Sequence, residues 1–257
     1  MSVEEEYSDD LITLLELIWG EDFMSPGGEG NVTKLVAGAD LKDKQILDIG
    51  SGLGGPAFVF AKKFGARVSG IDIEPKLVEH ALKRARDQGL QDLVDFQCVE
   101  PGKLDFPDNY FAMVTSSGAF TQISDKLGMY SECLRVLRPG GVFSCYDWMK
   151  SSGEYSDDML YWFKMEGLTY AMETPERHEE LLRTAGFVSI VIEDASAWYR
   201  KMAQAEYDML QGPLYKRATQ LLGVDGADYF VENWRSMVVV CNKGEMLQVY
   251  CRATKPS

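Results

Sequence analysis

Long apolar runs are missing from this chain. No stretch approaches the roughly 18 consecutive apolar residues that a membrane-spanning helix needs, so no membrane partner is expected. Basic clusters are missing as well. The longest is KRAR at residues 83–86, which reads as the solvated face of a helix. A formal charge of −14 and a sequence pI near 4.6 oppose binding to a phosphate backbone, which excludes nucleic acid as a partner. The five cysteines (Cys98, Cys133, Cys145, Cys241, Cys251) are odd in number and include no CxxC spacing. Reduced, buried thiols in a cytoplasmic protein with no metal site are the reading that follows. The opening MSVEEEYSDD has neither the basic nor the apolar region of a secretion signal, in agreement with a cytoplasmic location. Histidine is scarcer still. His80 and His178 are the only two, both in predicted helices, so the commonest general base is all but absent.

What the chain does have is a glycine-rich turn at residues 45–55, QILDIGSGLGG. Ile46, Leu47 and Ile49 form a short buried strand with Asp48 near its end. Gly50, Gly52, Gly54 and Gly55 then allow a tight turn and a close backbone approach to a ligand. Pro56 suits the first turn of a following helix. A purely structural strand-to-helix connection would also explain such a turn. Its continuation sharpens the reading: ARVSGIDI at residues 66–73 is a second strand ending in Asp72, where a dinucleotide-type fold places its ribose-binding acid.

With 257 residues, 46% of them hydrophobic, the chain can bury a sizeable core. Helical spacing of Leu11, Leu14, Leu15, Ile18 and Trp19 predicts an amphipathic helix over 5–19, and a shorter helix is expected at 32–39. Strands and helices then alternate: strands at 46–49, 67–72, 94–99, 111–115 and 142–147, helices at 56–64, 75–88 and 124–137. This pattern predicts a mainly parallel sheet with ligands at the C-terminal ends of its strands. A sixth strand is expected at 188–193, after a helix within TPERHEELLRTAGF. The stretch from Ser196 to Gly223 reads as a long helix rich in Tyr and Met, and the apolar runs 237–241 and 246–253 as antiparallel strands joined by NKGE. No internal repeat or low-complexity linker divides the chain. A single domain over 1–257 is expected, with a core at about 30–150 and a helical cap from about 1–29 and 150–235.

The hydrophobic-Asp-hydrophobic-GxGxG pattern resembles motif I of the class I S-adenosylmethionine (SAM) methyltransferases, and RVLRPGG before the fifth strand resembles the same family. The resemblance implies an α/β, Rossmann-like fold with a seven-stranded sheet, mainly parallel with an antiparallel last strand. It also implies SAM as cofactor, held by Asp48, Gly50, Ser51, Gly52, Gly54, Asp72, Ile73, Glu100 and Ser116. Glu100 has a bland alternative as a solvated loop carboxylate.

EYSDDLITLLELIWGEDFMSPGG at residues 6–28 further resembles the front of the phosphoethanolamine and the sarcosine/dimethylglycine N-methyltransferases. By that resemblance Tyr7 closes over the active site, Glu6 replaces a glutamine, and Met24 and Ser25 border the pocket. The chain departs from the phosphoethanolamine pattern at Gly118 and Gln122, where an Asp and a His are expected, and at Trp148, Leu168 and Met237, where phosphate ligands are expected. Charge-assisted contacts worth roughly 1.5–3 kcal/mol each would be lost to a phosphate. The inferred pocket contains Glu6, Tyr7, Trp19, Gln122, Asp147 and Trp148, with Tyr7 and Gln122 as the candidate catalytic pair. Such a mixture of aromatic faces and carboxylates favours an onium cation. Trp148 could equally be a core aromatic. Arg200 and Arg235, flanked by aromatics, are candidates for binding an acceptor carboxylate.

These features point to SAM-dependent methylation of a small-molecule amine of the choline- or glycine-betaine-precursor type, by a monomer or homodimer. S-methylation of a thioether or thiol and non-catalytic SAM binding are the rival readings.

Overall fold

A computed structural model describes residues 7–257. The alternation of the first half gives β1 (Gln45–Ile49), α3 (Gly55–Phe64), β2 (Arg67–Asp72), α4 (Pro75–Asp87), β3 (Val94–Cys98) and β4 (Phe111–Ser117). Ahead of these stand α1 (Asp9–Trp19) and α2 (Gly28–Leu35). After them come α5 (Lys126–Val136), β5 (Leu137–Lys150), α6 (Asp157–Glu166), α7 (Pro175–Ala185), β6 (Val188–Asp194), α8 (Ser196–Gln211), α9 (Tyr215–Asn242) and β7 (Met246–Thr254). The seven strands form one sheet in the order β3-β2-β1-β4-β5-β7-β6. β1 to β5 pair in parallel, and β7 runs antiparallel between β5 and β6.

Period-two alternation sends neighbouring strand residues to opposite faces. Ile46 packs under α2, α3 and α4, whereas Leu47 and Ile49 pack against α5 and α7. A third apolar cluster lies outside both faces. It joins Leu14 and Leu15 of α1, Trp162 of α6, Tyr199 and Ala203 of α8, and Trp234 and Met237 of α9. These four helices form a cap with its own core. Among the described residues no helix is long and apolar enough to cross a membrane.

The structure differs from the sequence reading in four places. Residues 237–241 are helical, the last turns of α9, and only 246–254 form a strand. A five-residue apolar run is compatible with either state, and here the cap core of Trp234, Met237, Val238 and Cys241 decides it. The helix at 32–39 begins four residues earlier, at Gly28. The stretch from 196 to 223 is two helices parted around Gly212, and α9 bends at Gly223, whose φ of 76° and ψ of 174° are not helical. Finally, α7 and β6 belong to the sheet layers, so α6 and α8–α9 reach the cap from separate segments.

Candidate functional site

β1 delivers the chain into the glycine turn with Asp48 fully buried. Gly50 has φ of +72°, and a Cβ there would lie 2.4 Å from the Ala119 Cβ. Gly54 has φ of +93°, and its Cβ would lie 2.7 Å from Phe96 and 2.8 Å from Phe58. Only glycine meets both demands. The turn grips the end of β2: Gly52 N–H donates to Asp72 Oδ2 at 2.8 Å, and Glu74 N–H donates to Oδ1 at 3.0 Å. Burial raises the Asp72 pKa against these contacts. Each carboxylate oxygen has a second lone pair available to a hydroxyl donor.

Asp48 Oδ1 accepts from Thr115 Oγ1 at 3.0 Å, while Asp48 Oδ2 and Ser51 Oγ are buried without a hydrogen-bond partner. Burial, with the nearby Asp72 charge, pushes the Asp48 pKa to about 7. Unpartnered buried polar atoms normally find a ligand or water. The positive-φ turn, two adjoining acids and these orphaned atoms suit a ligand that is cationic and rich in hydroxyls, as SAM is. Ser116, in contrast, is occupied: its Oγ donates to Ile49 O at 2.9 Å. Its neighbour Ser117 is the residue that faces outward from the strand end, with an unpartnered Oγ. Ile73 is 51% exposed beside Asp72, and Glu100 lies exposed beyond β3.

Beside the turn, between the sheet and the cap, lies a cavity of about 970 Å³ including its mouth. Of the candidates read from the sequence, Tyr7, Trp19, Met24, Ser25, Gln122, Asp147 and Trp148 line it, as do Gly118 and Leu168. Glu6 lies outside the described residues. Arg200 and Arg235 do not line the cavity. Trp234 does, but a helix turns about 100° per residue, so Arg235 points elsewhere and pairs with Glu232 at 2.6 Å. Met237 is likewise absent from the lining, and accepts from Tyr199 OH at 3.3 Å within the cap core. His178 sits in the sheet core with its Nδ1 2.5 Å from Tyr130 OH. Burial, reinforced by Lys126, lowers its pKa to about 3, so it is neutral, and it does not line the cavity.

The wall nearest the N-terminus is α1. Ser8 caps it, accepting from Leu11 N–H at 3.2 Å, and Ile12 packs with Leu53 of the glycine turn and Leu77 of α4. Met24 lies over Gly52, 3.2 Å from where a Cβ would stand. Arg84 of α4 holds this segment down through Glu16 and, at 2.7 Å, Asp22.

Among the described residues three acids stand at or behind the cavity wall: Asp147, which the sequence singles out, and Glu206 and Glu166, which it does not. Asp147 accepts from Trp148 N–H at 2.8 Å and Thr121 N–H at 3.0 Å, so both oxygens brace the strand end. Burial pushes its pKa to about 7. Glu206 stands behind the lining. Its Oε1 accepts from Trp19 Nε1 at 3.1 Å and its Oε2 from Trp234 Nε1 at 3.0 Å, tying α1 and α9 together through α8. Burial pushes its pKa, too, to about 7. Glu166 is the third, and it lines the cavity directly. A signal for Glu206 existed in the sequence: it shares the buried face of α8 with Tyr199, Ala203 and Leu210, a spacing that is otherwise apolar.

Among the described lining residues there is no Lys, Arg or His. Aromatics dominate instead, with Tyr7, Trp19, Trp148, Tyr170, Tyr229 and Trp234 all present. Buried polar atoms without partners also line the cavity, among them Ser117 Oγ, Thr121 Oγ1, Tyr170 OH, Asn233 Oδ1 and Gln248 Oε1.

Phosphoethanolamine N-methyltransferase 3 of Arabidopsis thaliana is 29% identical over 93% of this chain and 48% of its own length. The Plasmodium falciparum phosphoethanolamine N-methyltransferase is 27% identical over 80% of this chain and 77% of its own. The chain thus spans about half the length of the plant relatives it matches. Phosphoethanolamine N-methyltransferase 2 of Haemonchus contortus, solved with phosphomonomethylethanolamine and S-adenosylhomocysteine, superposes with a TM-score of 0.90 at 24% identity, covering 98% of this chain and 59% of that one. Residues 47–145 match the family described as methyltransferase domain, and the fold built around them is the class I, Rossmann-like methyltransferase fold.

Proposed function

We propose that the chain is a SAM-dependent methyltransferase whose acceptor is a small amine bearing neither phosphate nor carboxylate, of the amino-alcohol or alkylamine kind. The glycine turn, Asp48, Ser51 and Asp72 hold the cofactor, with Ile73 and Glu100 beside it. SAM supplies an electrophilic methyl group that is already activated by its sulfonium. The protein's task is therefore to align an amine lone pair and to exclude water. Aromatic faces of Trp19, Trp148 and Trp234 border the cavity, where a cation is attracted to them. Met24 and α1 cover the glycine turn and keep solvent from it.

The observation that carries this reading is the charge of the cavity. Its ionisable lining consists of carboxylates and phenols, with no cationic side chain among the described residues. A phosphate or carboxylate would enter without a counter-ion, which strongly disfavours it, whereas an ammonium finds both charge and π faces. The names of the relatives support amine methylation. The changes at Gly118, Gln122, Trp148 and Leu168, all on the cavity wall, support an altered acceptor.

The test is release of S-adenosylhomocysteine from SAM with ethanolamine, its N-methyl derivatives, phosphoethanolamine, glycine, sarcosine and small thioethers. Turnover confined to the unphosphorylated amino alcohols is expected. Turnover of phosphoethanolamine alone would overturn the acceptor assignment, and thioether turnover alone would replace N- by S-methylation.

A further inference from the structure

We infer that Glu166 is the anionic group that binds the acceptor's ammonium and takes up its proton, work for which no histidine lines the cavity among the described residues. This rests on the proposed amine acceptor and names the group that recognises it.

The geometry sets Glu166 apart from the other two acids. Asp147 has both oxygens held by backbone N–H groups, and Glu206 has both held by indoles. Glu166 Oε1 accepts from Trp162 Nε1 at 3.2 Å. Asn233 and Tyr170 approach its carboxylate, and both also line the cavity. Asn233 is 4% exposed, and its Oδ1 has no partner. That oxygen is a buried acceptor on the cavity wall next to a carboxylate, suited to a second N–H or O–H of the same ligand.

The position is locally unfavourable, which argues for a role beyond packing. Glu166 is the last residue of α6, followed by the left-handed Gly167. A carboxylate at a helix C-terminus opposes the helix dipole, and among the described residues no cationic side chain contributes to its environment. Local rules broken in this way are expected at functional sites. Among the described residues, the groups that act on it from the surrounding elements are Trp162, Tyr170, Tyr229 and Asn233, with Tyr199 from α8, none of them a cation. Burial pushes the Glu166 pKa up to about 7, within reach of physiological proton exchange.

The proton step balances without another reactant. The N–H bond of a protonated primary, secondary or tertiary amine breaks, an O–H bond forms at a Glu166 oxygen, and the electron pair left on nitrogen becomes the nucleophile. The proton then passes to solvent through the cavity mouth after product release.

The experiment compares choline chloride with 3,3-dimethylbutan-1-ol, its uncharged counterpart of matching shape, by quenching of intrinsic tryptophan fluorescence at pH 8. Wild-type protein should prefer the cation by about 10- to 100-fold, the scale expected for a carboxylate contact in a partly desolvated site. Glu166→Gln should bring the two affinities within about threefold of one another while leaving SAM affinity unchanged, and Glu166→Asp should restore part of the preference. A cation preference retained in Glu166→Gln overturns the inference, as does its absence from wild-type protein. If amines are methylated but the preference ignores Glu166, the inference falls alone. If the preference depends on Glu166 but no amine is methylated, the proposed reaction falls and the cation site stands.

Discussion

Glu206→Gln isolates one buried carboxylate whose burden on the fold depends on pH. In the native state Glu206 accepts from the Trp19 and Trp234 indoles, and burial raises its pKa from 4.5 to about 7. A carboxyl group raised in this way binds its proton more tightly folded than unfolded. Its stabilising contribution is complete below about pH 4.5 and is lost as pH rises through about 7. The size of that loss is roughly 3 kcal/mol. Glutamine does not titrate, so this loss vanishes in the variant. It does carry a penalty at every pH, because its amide NH₂ faces an indole N–H and leaves one donor unpaired, about 1–3 kcal/mol. Chemical unfolding of both proteins at pH 5.5 and pH 8.5 should therefore show the variant less stable at the lower pH. The deficit should shrink by about 2–3 kcal/mol, or reverse, at the higher pH. A stability difference that is the same at both values would mean that Glu206 titrates normally in the fold.

The other expectations concern the cofactor turn and its cover. Gly50→Ala forces a side chain into a left-handed position facing Ala119 at 2.4 Å, and should lower stability by about 2 kcal/mol or more and SAM affinity at least tenfold; calorimetric titration showing normal SAM affinity would contradict it. Asp72→Asn turns one of the two N–H contacts from Gly52 and Glu74 into a donor–donor conflict, and should weaken SAM binding about 10- to 100-fold with the secondary structure intact by circular dichroism. Arg84→Ala leaves Glu16 and Asp22, whose side chains are 19% and 13% exposed, without their shared cation. It should cost about 2–3 kcal/mol in denaturant unfolding and speed hydrogen exchange across residues 9–24 more than elsewhere; uniform exchange would show that α1 is not held by this contact.

What the sequence made legible follows from which signals are local. The glycine turn, Asp48 and Asp72 could be placed because strand, turn and acid are neighbours in the chain, and alternation of strands and helices predicted the parallel half of the sheet. The cap was legible only in outline. Residues 237–241 read as a strand because Val238, Val239 and Val240 suit one, yet the cap core holds them in α9. Arg235 stands next to Trp234 in the sequence, yet adjacent residues on a helix face different ways, and Arg235 pairs with Glu232 away from the cavity. Ser116 and Ser117 are told apart only by the pleat, which buries the first against Ile49 and turns the second to the cavity. Glu166 is opposed by its helix end and surrounded by residues far off in sequence, such as Asn233, so its setting emerges only when α6 meets α9. The same holds for Glu206, whose partners Trp19 and Trp234 lie 187 and 28 residues away.

The most direct test of the central claim is a matched pair: kcat/KM for ethanolamine and for phosphoethanolamine, measured with SAM at pH 8 and with the methylated products identified by mass. A cavity lined by Glu166, Asp147 and aromatic faces, with no cationic side chain among the described residues, should favour ethanolamine by at least about 100-fold, since the phosphate dianion would be desolvated without a partner. Equal or greater efficiency with phosphoethanolamine would rule out an unphosphorylated acceptor, because the acids on the cavity wall would then be tolerating the charge they should repel.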